Sequence, residues 1–268
     1  MQYDRSRRFR WDTVERVFTN TVPSPCPYLE GREECKLVTP LNREDQADFA
    51  ALVQAGFRRS HDMAYRPICA NCDACISVRI RATSLQLSRR DKRCLKANQD
   101  LQAGLAQADN SHEHYALFSR YITTRHAEGG MAAMDRHEFQ DMIESSPLPT
   151  RLIEWRQGKG GALTAACLVD ELPDGLSAVY SYFDPRAEKR SLGRFIILDL
   201  CRISAALGLQ HLYLGYWVKD SPKMGYKSSY APLEGYVKGA WRDLSERSEH
   251  SVSTSDKAEP NDRPALTP

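Results

Sequence analysis

The spacing of apolar residues changes period several times along the chain, and each change predicts an element. Over residues 42–55, Phe49, Leu52 and Val53 recur at helical spacing, with Asn42 placed to cap the start and Gly56 to end it. Residues 76–80 read as a short strand. Ser88 is placed to cap a second helix over roughly 89–106, with Leu95, Leu101 and Leu105 on its inner side. An amphipathic helix over 112–124 carries Tyr115, Leu117, Phe118, Tyr121 and Ile122, and a shorter one follows over 136–144. Three strand-like runs, 150–155, 162–169 and 177–183, are joined by the turns Gln157-Gly158-Lys159-Gly160-Gly161 and Leu172-Pro173-Asp174-Gly175, which predicts an antiparallel meander. After Asp184-Pro185, a helix over 192–207 shows Leu192, Ile196, Leu200, Ile203 and Leu207 on one face, with Gly208 at its end. Residues 211–217 are the last strand. The expected class is α+β.

Composition narrows the function classes without choosing one. The 268 residues are 41% hydrophobic and 27% charged, which excludes a wholly disordered or collagen-like chain. No run approaches the roughly 18 apolar residues of a membrane helix. The basic N-terminus lacks an apolar segment, so neither a signal peptide nor a membrane is expected and the cytoplasm is the expected location. From Glu246 onward the chain is polar and without aromatics, and a disordered tail is expected over 246–268. The remainder divides into residues 1–110, with turns, cysteines and a basic helix, and residues 111–245, with regular patterns. A net charge of +2 does not exclude nucleic acid, because local patches matter more than the sum.

Four stretches carry candidate chemistry. Tyr65-Arg66-Pro67-Ile68-Cys69-Ala70-Asn71-Cys72-Asp73-Ala74-Cys75 sets three thiols at C-x2-C-x2-C spacing. Thiolates so spaced suit zinc or an iron–sulfur cluster, and Cys26 or Cys35 would supply a fourth ligand; buried free cysteines are the plainer alternative. Cys94, Cys167 and Cys201 fall in helix or strand patterns and read as core. The second stretch puts five cations, Arg89, Arg90, Lys92, Arg93 and Lys96, on one short helix, suited to phosphates or else a solvated face. Five arginines with Phe9 and Trp11 in the first sixteen residues point the same way. The third, Arg190-Ser191-Leu192-Gly193-Arg194-Phe195, opens the long helix, where backbone amides bind anions. The fourth, residues 214–227, gathers aromatics that can stack on bases or ribose and lysines that can hold a carboxylate. His112, His114, His126 and His137 are scattered and read as structural or exposed. No Walker A, H-E-x-x-H or G-x-S-x-G motif occurs.

The strand order with a helix opening at a basic, Gly-containing turn is analogous to the acyltransferase fold of the GNAT superfamily. There an R-x-x-G-x-G/A turn cradles coenzyme A. Here Phe195 replaces the last small residue and would crowd a pyrophosphate, so no CoA is expected. More specific matches are Cys26-Pro27-Tyr28-Leu29, Gly56-Phe57-Arg58-Arg59-Ser60, the Y-R-P-x-C-x-x-C-x-x-C run, Arg125-His126 with Gly129-Gly130-Met131, Ser177-Ala178-Val179-Tyr180 with Phe183-Asp184-Pro185, Arg190-Ser191-Leu192-Gly193, and Tyr213-Leu214-Gly215-Tyr216-Trp217 with Lys223-Met224-x-Tyr226-Lys227. Over residues 9–241 the sequence resembles the bacterial aspartate/glutamate leucyltransferases, relatives of eukaryotic arginyl-tRNA–protein transferases. Ser77 stands where that pattern usually has Pro, Cys35 is extra, and Asp91-Lys92 interrupts a usually more basic helix.

The resemblance implies transfer of leucine, or alternatively arginine, from charged tRNA to proteins with N-terminal Asp or Glu, marking them for degradation; a monomer is expected. It also implies an iron–sulfur cluster or zinc on Cys26, Cys69, Cys72 and Cys75, and tRNA contacts from Arg89, Arg90, Lys92, Arg93 and Lys96. Ester aminolysis would then use Asp184 to orient or deprotonate the amine, and Tyr180, Tyr182 and Tyr216 to donate to the ester or place the ribose. Arg190 with Gly193 would bind the terminal adenosine phosphate, Tyr226 would contact substrate, and Lys223 or Lys227 would pair with the acceptor's carboxylate. Two other classes remain: a CoA-dependent small-molecule N-acetyltransferase, and a metal-stabilised tRNA-binding module without catalysis.

Overall fold

The computed structural model describes residues 16–43, 45–106, 112–127, 131–219 and 221–244. The expected tail over 246–268 and the arginines before residue 16 lie outside the described residues. The chain runs through β1 (Thr19–Asn20), β2 (Ser24–Pro25), β3 (Glu33–Glu34), β4 (Lys36–Pro40), α1 (Gln46–Gln54), β5 (Arg58–Ser60) and β6 (Met63–Pro67). β7 (Ile76–Arg81), α2 (Arg89–Ala97), β8 (Leu101–Ala106), α3 (His112–Arg125) and α4 (Arg136–Glu144) follow. The rest is β9 (Thr150–Gln157), β10 (Leu163–Leu172), β11 (Gly175–Phe183), α5 (Leu192–Ala206), β12 (His211–Trp217), β13 (Leu233–Val237) and β14 (Ala240–Asp243).

Among the described residues the main sheet has eight strands in the order β14-β13-β7-β12-β11-β10-β9-β8, and a smaller one has the order β1-β4-β6-β5. The main sheet is mixed: β11 and β12 are parallel, joined by α5, and the other neighbours are antiparallel. This is an α+β fold, and β9-β10-β11 is the expected meander. Residues 163–170 of β10 are all buried because helices cover both faces. Side chains alternate between two cores: Ala165, Cys167 and Val169 pack with α5, while Ala166 and Leu168 pack with α3 and α4. Cys94, Cys167 and Cys201 are buried. A third cluster joins α1 to the sheet through Phe49, Leu52, Val53 and Tyr213.

Three expectations change. The helix expected over 89–106 stops at Ala97, because Asn98 Nδ2 donates to Cys94 O at 2.8 Å and to Arg190 O at 2.9 Å. Residues 101–106 become the edge strand β8; Leu101 is buried but Leu105 is 69% exposed, so their helical spacing is coincidental. The helix α1 starts at Gln46 rather than Asn42, because Asp45 Oδ2 accepts from Asn42 N at 2.7 Å and closes a turn ahead of it. A break at residue 110 does not divide the main sheet, since β7 and β8 precede it and β7 lies between β12 and β13. No helix among the described residues is long and apolar enough to cross a membrane.

Candidate active site

The sheet opens where β11 and β12 part. They pair in parallel over Gly175–Ser177 and His211–Tyr213 only. The register of β12 against β7 shifts between Tyr213 and Gly215, and Gly215 has φ +79°. Beyond the paired segment lie two cavities, on either side of the turn Gly225–Ser229. Tyr226 lines one and Lys227 the other.

The larger cavity, roughly 570 Å³, surrounds the start of α5 and is lined by Arg90, Tyr121, His126, Phe183, Gly193 and Arg194, among others. Ser191 precedes the helix at φ +52° without a side-chain cap, so the first-turn amides are not claimed by a neighbouring side chain. Gly193 gives the Phe183 ring room: a Cβ there would stand 3.3 Å from Phe183 Cε1, a tight contact that the ring would have to ease. Phe195 points into the core beside Trp155, with ring centroids 6.1 Å apart, so it does not crowd this cavity as its sequence position suggested. Arg190 is not among the cavity's cations. Its Nε donates to Asn98 Oδ1 at 2.9 Å and its Nη2 pairs with Asp100, so it pins the α2–β8 turn to α5.

Strand parity places the tyrosines of β11 away from this cavity. Ser181 and Phe183 face this cavity, which turns Tyr180 and Tyr182 to the other face against Phe118. Tyr182 is buried, with its hydroxyl 2.9 Å from His114 Nδ1. Tyr216 is buried too, and its hydroxyl donates to Gly56 O and Tyr65 O, both at 3.0 Å, tying β12 to the smaller sheet. Asp184 is held by Arg186, whose Nε and Nη2 donate at 2.9 and 2.8 Å; this holds its carboxyl below the ordinary range and leaves it a weak base.

His126, read as structural or exposed from sequence, is exposed and also lines the cavity, 3.4 Å from the Tyr121 hydroxyl. Partial burial, then Lys223 and Arg125, lower its pKa, so the imidazole is neutral at pH 7. Lys223 is exposed, whereas Lys227 is buried and donates to Tyr216 O at 2.6 Å. Burial, then Arg58, brings the Lys227 ammonium down to about 7.

The basic helix α2 packs beside α5. Arg89, Arg90, Lys92, Arg93 and Lys96 are all exposed, while Asp91 and Cys94 face inward. Asp91 completes a capping box with Ser88 and pairs with Arg194 Nε at 2.6 Å, so it does not interrupt the cationic face. Because Arg90 also lines the cavity, the cationic face runs up to its mouth.

The thiols of the N-terminal segment lie near one another. Cys35 N donates to Cys69 Sγ at 3.4 Å, and burial together with the thiols of Cys26, Cys69 and Cys72 pushes Cys75 up to about 12. The donor set is chemically suited to a soft metal. Among the described residues, however, no three His, Cys, Asp or Glu side chains are placed to hold a metal ion between them.

The families described as arginine-tRNA-protein transferase, N terminus, and arginine-tRNA-protein transferase, C terminus, match residues 24–93 and 113–237. The aspartate/glutamate leucyltransferase of Cereibacter sphaeroides is 47% identical over 87% of this chain and 85% of its own. The chain belongs to this transferase family. The aspartate/glutamate leucyltransferase of Jannaschia sp. is also 47% identical, over 88% of this chain and 84% of its own. Among solved structures FemX has a TM-score of 0.41 at 7% identity, covering 68% of this chain and 63% of that one. The two matched halves of the transferase family share one sheet here, since β7 from the first sits among strands of the second.

Proposed function

We propose that this protein transfers leucine from leucyl-tRNA to the N-terminal Asp or Glu of acceptor proteins, marking them for degradation. The observation that carries this is the 47% identity over 87% of the chain to a relative named aspartate/glutamate leucyltransferase. In this reading residues 111–245 supply the GNAT-like acyl-transfer part on a sheet shared with β7 and β8, the Cys-containing segment precedes it, and the acyl donor is aminoacyl-tRNA rather than CoA.

The acceptor's α-amine, with an ordinary pKa of about 7.7–8.0, is substantially neutral at physiological pH. Its nitrogen attacks the carbonyl carbon of the aminoacyl ester. The tetrahedral intermediate collapses with cleavage of the ester C–O bond, and the proton lost by the amine ends on the departing ribose oxygen. Neutral His126 is the base that carries this proton, in place of Asp184. The first-turn amides of α5 with Arg90 and Arg125 hold the phosphate of the tRNA 3′ end, and Tyr226 packs on the ribose or base. The exposed cations of α2 guide the acceptor stem. Most of the acceleration comes from holding amine and ester together.

Cys26, Cys69, Cys72 and Cys75 would hold an iron–sulfur cluster or zinc only with their thiols drawn closer together than they stand here, and the group would then cross-link the loops that carry them.

The test is a transfer assay with leucyl- and arginyl-tRNA and peptides beginning with Asp, Glu or Ala. Leucine on the Asp and Glu peptides alone is the expected result. Arginine instead would reassign the donor. Tight tRNA binding without transfer from either would replace the transferase reading with a binding module.

A further inference from the structure

The smaller cavity, about 170 Å³, lies in the wedge between β11 and β12 and is lined by Arg58, Tyr65, Ser177, Gly215, Tyr216 and Lys227, among others. It contains two buried cations. Arg58 reaches in from β5, is 5% exposed, and its Nη1 is buried without a hydrogen-bond partner. Lys227 is also 5% exposed; its ammonium carries three donors, one of which serves Tyr216 O. A Cβ on Gly215 would stand 3.6 Å from Arg58 Nε, 3.7 Å from its Nη2 and 3.8 Å from Lys227 Nζ. One point in space is therefore within contact distance of both cations, and a glycine keeps it open.

Neither cation has an ion-pair partner among the described residues. Asp170, the carboxylate whose charge acts on Arg58, is taken: Arg59 donates to it at 2.7 and 2.8 Å, and Thr150 Oγ1 at 2.8 Å. Two buried like charges without a counter-ion oppose folding, and each weakens the other's protonation. An anion at the Gly215 gap relieves both. Its size is limited by the cavity, which takes a short carboxylate but not a large side chain. Its attachment is limited by position: consecutive residues line the two cavities, Lys227 this one and Tyr226 the one assigned to the donor, so the two lie against the same turn.

We propose that this cavity seats the side-chain carboxylate of the acceptor's N-terminal Asp or Glu, with Arg58 as its main anchor and Lys227 as the second. This rests on the leucyltransferase reading for the identity of the acceptor. It adds Arg58 to the site and leaves Lys223, on the surface, outside it.

The experiment measures equilibrium binding of labelled peptides beginning with Asp or Asn to the full chain, without tRNA. Asn keeps the size and removes the charge. The wild type should prefer Asp about 100-fold, the effect of charged hydrogen bonds in a buried site. Arg58→Met and Lys227→Met should each bring the preference to within a few-fold while leaving leucyl-tRNA affinity in place. If Arg58→Met fails to fold, Lys227→Met decides alone. Retention of the Asp preference in the folded variants overturns the proposal. So does loss of leucyl-tRNA affinity in its place, which would make this a phosphate site. Selective binding of the Asp peptide without any leucine transfer would leave the pocket standing and sink the transferase reading. Leucine transfer with an Asp preference untouched by both substitutions would do the reverse.

Discussion

Replacing Asp91 by Ala makes α2 more cationic and should nevertheless weaken both the fold and tRNA binding. The side chains of Asp91 and Arg194 are 3% and 9% exposed and meet at 2.6 Å. Asp91 Oδ2 also accepts from Ser88 N at 2.9 Å and Ser88 Oγ at 2.6 Å. Removing one partner of a buried pair costs about 3–5 kcal/mol. Loss of the helix cap alone costs about 1 kcal/mol, and the two do not add because one carboxylate serves both partners. Arg194 keeps its hydrogen bond to Ser229 Oγ at 3.0 Å and its place over Tyr230, which favours the lower end, about 3 kcal/mol. Urea unfolding at pH 7 should therefore show a midpoint lower by roughly 1 M or more. Burial alone would raise the Asp91 pKa, but hydrogen bonds from Ser88 and Arg194 outweigh it and hold it below 3.8. A depressed carboxylate stabilises above its unfolded pKa and loses that contribution as pH falls through the folded one, so the gap between wild type and variant should close in acid. In parallel, tRNA affinity should fall because α2 loses its fixed place beside the cavity. Wild-type stability at pH 7 together with tighter tRNA binding would refute this reasoning.

Asp170→Asn should lower Tm by about 10 °C, since it breaks a bidentate pair in which both side chains are 1% exposed; an unchanged Tm in a calorimetric scan would contradict it. Arg89→Glu combined with Lys92→Glu should weaken tRNA binding and flatten its dependence on log salt by about 0.7–0.9 for each phosphate no longer neutralised; an unaltered slope would remove α2 from the interface. His126→Gln should lower kcat about 10²-fold or more at saturating acceptor, and it should remove the acid-side fall that the wild type shows below pH 6.5, while the fall set by the acceptor amine at higher pH stays in both. A full rate in that variant would move the proton transfer to another residue. Cys72→Ser should abolish bound iron or zinc by metal analysis, and unchanged metal content would end the cluster proposal.

The helix over 136–144 and the strand over 211–217 match the structure residue for residue. Each has an unambiguous period and a clear start; in α4, Asp135 and Glu138 form a capping box. Residues 101–106 mislead because a solvent-facing edge strand has no buried face to enforce alternation. The tyrosines of β11 can be sorted from sequence, since residues 180 and 182 must share a face opposite 181 and 183. Arg58 cannot. It sits two residues from the chain's Gly56 turn and looks like any surface arginine until β5 is placed under the bulge at Gly215. His126 is equally illegible, because its place at the cavity depends on how α3 packs over β11, and Lys223, which adds to the effect of burial on its pKa, lies almost a hundred residues later in the chain.

During synthesis β7 is finished at residue 81, but the strands on its two sides are residues 211–217 and 233–237. At about 5–20 residues per second the ribosome leaves both edges of this strand unpaired for on the order of ten to thirty seconds. A naked Ile-Ser-Val-Arg-Ile-Arg segment is a candidate for pairing with another nascent chain, and its two arginines oppose that by charge. Their partners arrive with the last strands: Arg79 Nε meets Glu234 Oε2 at 2.7 Å and Arg81 Nη2 meets Asp243 Oδ2 at 2.9 Å. The charges that keep the waiting strand solitary thus become the latches that select its correct neighbour.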